Sequence, residues 1–242
     1  AYSLVNSGAG MRFGVPFSEI DTVYFGANLE QTSIRPGNNL PNAYVEYMQQ
    51  FGYTSNSLPF TIGWARDGRD SALVPTRGIL QRFNSDLSAS GDARYVRTNY
   101  QIQQYTPLTK KYTLALNADL GWGQGLSNRP YPLFKNYFVG GLGSVRGFQQ
   151  STLGPSDSTN SLYLGGPKKI VLNAELMAPF PGAGNDRTLR LFAFTDVGRA
   201  SIGVGLSWIS PMGPLRFSYA LPMKRQVADK IQRLQFQIGT SF

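Results

Sequence analysis

The residue types that could do chemistry in this sequence are an arginine and two acids at a distance from it. Arg146 lies in residues 140–148, Gly-Gly-Leu-Gly-Ser-Val-Arg-Gly-Phe, where four glycines free the backbone for positive φ and close packing. Such a segment can fold back on itself and present Arg146 at a fixed point. Glu175 and Asp196 follow on the polar faces of two later alternating stretches. A guanidinium carries five donors in a rigid fork and can take two carboxylates at once. The chemistry open to this trio is binding and locking. The alternative on residue types is a solvent-exposed Arg146 with two unrelated lumen acids.

The remaining inventory excludes more than it offers. There is no His and no Cys in 242 residues, so the commonest general base and metal ligand are missing, and so are disulfides and thiolate sites. We therefore expect no enzyme, no cofactor and no metal. Arg66-Asp67-Gly68-Arg69-Asp70 reads as a self-paired surface turn rather than a cation site. Gly141, Gly143 and Gly147 are spaced one residue too long for a dinucleotide fingerprint, and no βαβ context surrounds them. The net charge of +9 comes from 23 scattered Lys and Arg with no basic run among aromatics, so no nucleic-acid partner is expected. Basic residues on a barrel rim and lumen near lipid phosphates give the same excess.

Positioning these residues falls to strands. Val5, Ser7, Ala9, Met11, Phe13 and Val15 alternate with Asn6, Gly8, Gly10, Arg12 and Gly14, the period-2 pattern of a two-faced strand. The pattern recurs to give eleven candidate strands of about ten residues, the length a tilted membrane strand requires. Among them, Val96, Thr98, Tyr100 and Ile102 oppose Arg97, Asn99, Gln101 and Gln103. Ile170, Leu172, Ala174 and Leu176 oppose Asn173 and Glu175, and Leu191, Ala193, Thr195 and Val197 oppose Arg190, Phe192, Phe194 and Asp196. Pro59 falls where a strand may begin. Residues 36–57 break the alternation and read as a long loop with one short amphipathic helix. Residues 123–168 form a second long irregular region, of a length that is usually functional or disordered, and its central aromatics and glycines argue for function. No run approaches the roughly 18 to 20 apolar residues of a membrane helix. Residues 1–4 show no charged or apolar leader, which implies a removed signal peptide or a fragment.

A polar face can belong to a soluble sandwich or to a barrel lumen, and alternation alone does not separate them. The connections favour the barrel. Short ones at 16–20, 107–111, 178–188 and 210–214 alternate with long ones at 36–57, 123–168 and 222–230, as periplasmic turns alternate with external loops. The fold class expected is thus all-β, an antiparallel transmembrane β-barrel in a single domain spanning residues 1–242.

Four stretches in order carry a family resemblance. Gly140-Gly141-x-x-Ser144-Val145-Arg146-Gly147-Phe148, Asp196-Val197-Gly198, residues 210–220 and the terminal Phe236-x-Ile238-Gly239-x-x-Phe242 together resemble the BamA-type outer-membrane protein assembly factors. The resemblance covers essentially the whole chain as the C-terminal part of the family's barrel. It implies that the Val145–Phe148 tip belongs to a loop folded into the lumen, with Arg146 paired to Asp196 and Glu175 beside Gly198. It also implies a fragment of a barrel of about sixteen strands, without the family's N-terminal periplasmic domains. The connection at residues 198–201 is shorter than expected for an external loop. The function implied is insertion of other β-barrel proteins into the bacterial outer membrane. Its expected partners are outer-membrane lipids, unfolded outer-membrane proteins and accessory assembly lipoproteins. Leu234, Phe236, Ile238, Gly239 and Phe242 would form a bendable last strand at the gate. The alternatives are a two-partner secretion or autotransporter-assembly pore, or a passive porin-like barrel.

Overall fold

The computed structural model describes residues 3–37, 40–157, 162–182, 187–211, 213–226 and 228–239. Phe242, expected on the last strand, lies outside the described residues, as do Asn38, Asn39 and Met212 in two expected connections. The strands are β1 (Ser3–Pro16), β2 (Asp21–Arg35), β3 (Thr54–Asp67), β4 (Gly78–Gly91), β5 (Tyr95–Pro107), β6 (Thr113–Gly125), β7 (Gly147–Phe148), β8 (Lys168–Pro179), β9 (Leu189–Val197), β10 (Ser201–Ser210), β11 (Gly213–Pro222), β12 (Ile231–Gln232) and β13 (Leu234–Ile238). One helix, α1 (Asn42–Phe51), lies between β2 and β3. Eleven of the strands form one antiparallel meander in the order β1-β2-β3-β4-β5-β6-β8-β9-β10-β11-β13, and β7 pairs separately with β12.

The period-2 alternation decides which way each side chain points. On β9, Arg190, Phe192, Phe194 and Asp196 are buried, while Leu191, Ala193 and Val197 between them are exposed. The same parity on neighbouring strands gives one continuous outer face of exposed apolar residues, among them Phe25, Phe60, Ile62, Leu172, Val204, Phe217 and Phe236. A soluble protein rarely leaves so large an apolar surface in water, and lipid is the solvent that suits it. No described helix is long and apolar enough to cross a membrane.

Several expectations are corrected. Pro59 sits inside β3 rather than at its start, at the register shift between Ser57 and Pro59, where an irregular pairing dispenses with an amide donor. Strands β1 to β6 run to 13–15 residues rather than about ten, because pairing continues past the lipid-facing segment into the loops. By the same extension β6 reaches Gly125 and shortens the long irregular region. The loop asymmetry is only partial. Residues 36–53 and 126–167 are long, but the connections at 92–94 and 198–200 lie at the same end and are short.

Each end of the sheet is covered. At the loop end, Tyr44, Tyr47 and Met48 of α1 pack on Ile34, with Leu133, Phe134 and Leu164 of the long loop against them. The Asp157 carboxylate accepts the Asn42 backbone N–H at 2.8 Å, which satisfies one orphan donor at the helix start. At the turn end, residues 68–77 fold inward. Arg190 of β9 donates to the carbonyls of Val74 at 2.8 Å and Pro75 at 2.9 Å.

Candidate functional site

The site begins with a tight turn in the long loop. The Gly141 N–H donates to Val145 O and the Ser144 N–H to Gly141 O, both at 3.1 Å, and the Gly140 N–H donates to Ser144 Oγ at 2.8 Å. The turn aims Val145, Arg146 and Phe148 against the inner face of the sheet, and all three are nearly inaccessible to solvent. Val145 and Phe148 pack with Leu153 of the loop and Val171 of β8. Gly147 has φ +88°, and a Cβ there would come within 3.0 Å of Ala220 on β11. A Cβ on Gly198 would likewise meet Val145 at 3.0 Å. The plug approaches the wall so closely that glycine is needed on both sides of the contact.

Arg146 is 2% exposed and Asp196 0%. The Arg146 backbone N–H donates to Asp196 Oδ2 at 2.9 Å and its Nε to the same oxygen at 2.8 Å, while Nη2 reaches Asp196 Oδ1. Nη1 pairs with Glu175. The guanidinium carbon lies 3.5 Å from the centroid of the Phe194 ring, so the cation is held by two carboxylates and an aromatic face. Such burial is tolerable because every element of it is paired.

Sequence reasoning missed four contributors. Arg216 of β11 donates to the same Glu175 oxygen, so that acid bridges two guanidinium groups. Asn173 donates to Asp196 Oδ1 at 2.8 Å and to the Ser144 carbonyl at 2.7 Å, tying acid and plug together. The Gln235 amide on β13 accepts the Gly147 N–H at 3.3 Å and donates to Phe148 O at 2.7 Å, while β7 pairs with β12. Phe194 supplies the ring. Asn173 and Phe194 are on the inward parity read from the sequence, and Arg216 and Gln235 share that parity on their own strands, but parity does not say which residue reaches the plug.

The structure brings Val145, Arg146, Gly147, Phe148, Glu175, Asp196 and Gly198 to one place. Leu234, Phe236 and Ile238 stand apart, exposed on the outer face of β13, where Phe236 stacks on Phe217 with ring centroids 4.4 Å apart. Gly239, just past β13, has φ +92°, donates its N–H to Pro214 O at 2.8 Å, and a Cβ there would meet nothing within 4 Å.

Comparison with known proteins points one way. A family model of the Omp85 superfamily domain matches residues 1–242. The outer membrane protein assembly factor BamA of Neisseria meningitidis is 34% identical over 100% of this chain and 37% of its own length. The human sorting and assembly machinery component 50 homolog is 24% identical over 73% of this chain and 44% of its own. The crystal structure of BamA from Haemophilus ducreyi lacking POTRA domains 1-3 superposes with a TM-score of 0.90 at 24% identity, covering 97% of this chain and 54% of that one. The chain thus spans about a third to a half of the length of these relatives.

Proposed function

The chain belongs to the Omp85 superfamily, and from that membership we propose that it works as part of an outer-membrane barrel that folds and inserts other β-barrel proteins. The observation that carries this reading is the likeness of the whole of this chain to part of the Neisseria assembly factor. The lipid-suited outer face and the plug held by Arg146 support it.

In this reading the eleven strands contribute to a closed barrel of about sixteen, within the even-numbered range of bacterial barrels, and periplasmic domains precede it. The buried Arg146, Asp196 and Glu175 act as a lock that fixes the loop tip against the wall. The work is mechanical. No bond is made or broken, and no ATP or cofactor is required.

Substrate strands enter by pairing with an exposed edge. β13 suits that use: among the described residues it has five register pairs with β11, against fourteen between β1 and β2. Gln235 links this weak strand to the plug, so movement of one is felt by the other. Unfolded outer-membrane proteins are the substrates, lipids contact the outer face, and accessory lipoproteins of the assembly machinery are the remaining partners.

The test is insertion of an unfolded eight-stranded outer-membrane barrel into proteoliposomes containing the intact protein, followed by gel mobility without heating. Insertion should fall at least tenfold for Arg146→Ala at a temperature where the barrel itself stays folded. Full insertion with the plug released would remove the lock from the mechanism. A wild-type protein that inserts nothing and only conducts ions steadily would be a passive barrel.

A further inference from the structure

Between the plug and residues 68–77 the inner face of the sheet lines a cavity of about 530 Å³, with six cationic side chains, Arg69, Arg82, Arg146, Lys169, Arg190 and Arg216, and two carboxylates, Asp119 and Glu175. Four of the cations have acids. Arg69 pairs with Asp67, Arg146 with Asp196 and Glu175, Lys169 with Asp119, and Arg216 with Glu175. Among the described residues Arg82 and Arg190 have no carboxylate partner.

The two differ in a useful way. Arg190 is 7% exposed and donates only to neutral groups, the carbonyls of Val74, Pro75 and Arg187 and the Met177 sulfur. Its charge is uncompensated although its hydrogen bonds are made. The carboxylate of Asp70 reaches it through space, but the oxygens of Asp70 accept from Thr76 and Arg77, and Arg187 adds a further positive field. Arg82, on the inner face of β4, makes neither an ion pair nor a hydrogen bond among the described residues, and Asp67 reaches it only through space. Arg216 spends Nη2 on Glu175, its Nη1 has no hydrogen bond among the described residues, and its side chain is 34% exposed on the cavity side. Register places Arg190, Ser207, Arg216 and Gln237 side by side in one row across β9, β10, β11 and β13, with the small serine between the two guanidinium groups.

A low-dielectric cleft with surplus positive charge and unfilled N–H donors focuses its field on an anion. Arginine forks match the planar or tetrahedral oxygens of an oxyanion better than they match chloride. The volume falls within the usual range of small-ligand sites, roughly 300–1,000 Å³, which leaves room for a phosphate with its bridging waters. We propose that this lumen cavity is a binding site for an oxyanion of the phosphate class, contacted by Arg82 and Arg216 in the field of Arg190. The proposal goes beyond the assembly reading and does not depend on what the barrel inserts.

The test is equilibrium dialysis of radiolabelled inorganic phosphate against the intact protein in detergent, at ionic strength held constant with chloride. One saturable phosphate per chain is expected. Affinity should fall about tenfold or more in Arg82→Gln, which loses no internal bond, and should be largely restored in Arg82→Lys. Competitive displacement by dihexanoyl phosphatidylglycerol would support a lipid headgroup as the ligand, and retention of phosphate would support the free anion. Absence of a saturable component, or equal binding by Arg82→Gln, would overturn the site.

Discussion

Truncating Arg146 leaves Asp196 fully buried, with Asn173 as its remaining side-chain donor and the Arg146 backbone N–H beside it. Glu175 fares better, because Arg216 still holds it. Breaking one partner of a buried pair typically costs about 3–5 kcal/mol, and we expect Arg146→Ala to fall in that range in denaturant titrations of the bilayer-embedded protein. Arg146→Ala and Asp196→Ala should couple by about 1 kcal/mol or more in a double-mutant cycle. Additive effects would mean that the two side chains do not share an environment. The pair need not be a net source of stability, since well-packed apolar replacements of both residues can match a buried ion pair. In the lock we propose, what it supplies is a single position for the plug.

Among the elements, residues 68–77 respond to pH. Burial pushes the Asp70 carboxyl up from its ordinary 3.8, but this is outweighed by the Thr76 hydroxyl and the backbone N–H groups of Thr76 and Arg77, which lower it to about 2. A depressed carboxyl contributes its stability fully above its unfolded value and loses it as pH falls through the folded one. The protection of the Thr76 and Arg77 amides, taken relative to intrinsic exchange at each pH, should therefore be full above about pH 4 and fall between there and about pH 2, and Asp70→Asn should flatten that profile. The inward fold of this turn was not legible in the sequence, where Arg66-Asp67-Gly68-Arg69-Asp70 announced only a turn. Its Arg69–Asp67 pair is local, but its anchor, Arg190, lies 115 residues beyond Pro75. Alternation made the eleven strands legible, since a side-chain period of two needs no tertiary information. It also made Glu175 and Asp196 legible as inward acids. It did not distinguish Gln235 or Asn173, which hold the plug, from Gln101 or Gln103, which do not, because an inward amide has the same parity whatever it touches. The placement of Pro59 was misread for a related reason: a bulge is set by the partner strand.

For the molecule as a whole, the outer face is the boundary condition. Val204 is 58% exposed near the middle of β10, pointing away from the plug. An arginine at the midplane of a lipid-facing strand costs about 2–4 kcal/mol, so Val204→Arg should lower stability by that amount in bilayers. An effect near zero would mean that this face meets water.

The plug is also separated in sequence from everything that holds it. Arg146 precedes Asp196 by 50 residues, and Gly147 precedes Gln235 by 88. Contacts this far apart form late, because loop closure must come first. During synthesis the tip emerges before either of its anchors exists, and the last one arrives only with β13. A docked plug is thus a record in time: it certifies that the strands following it have all been laid down, in register and in order.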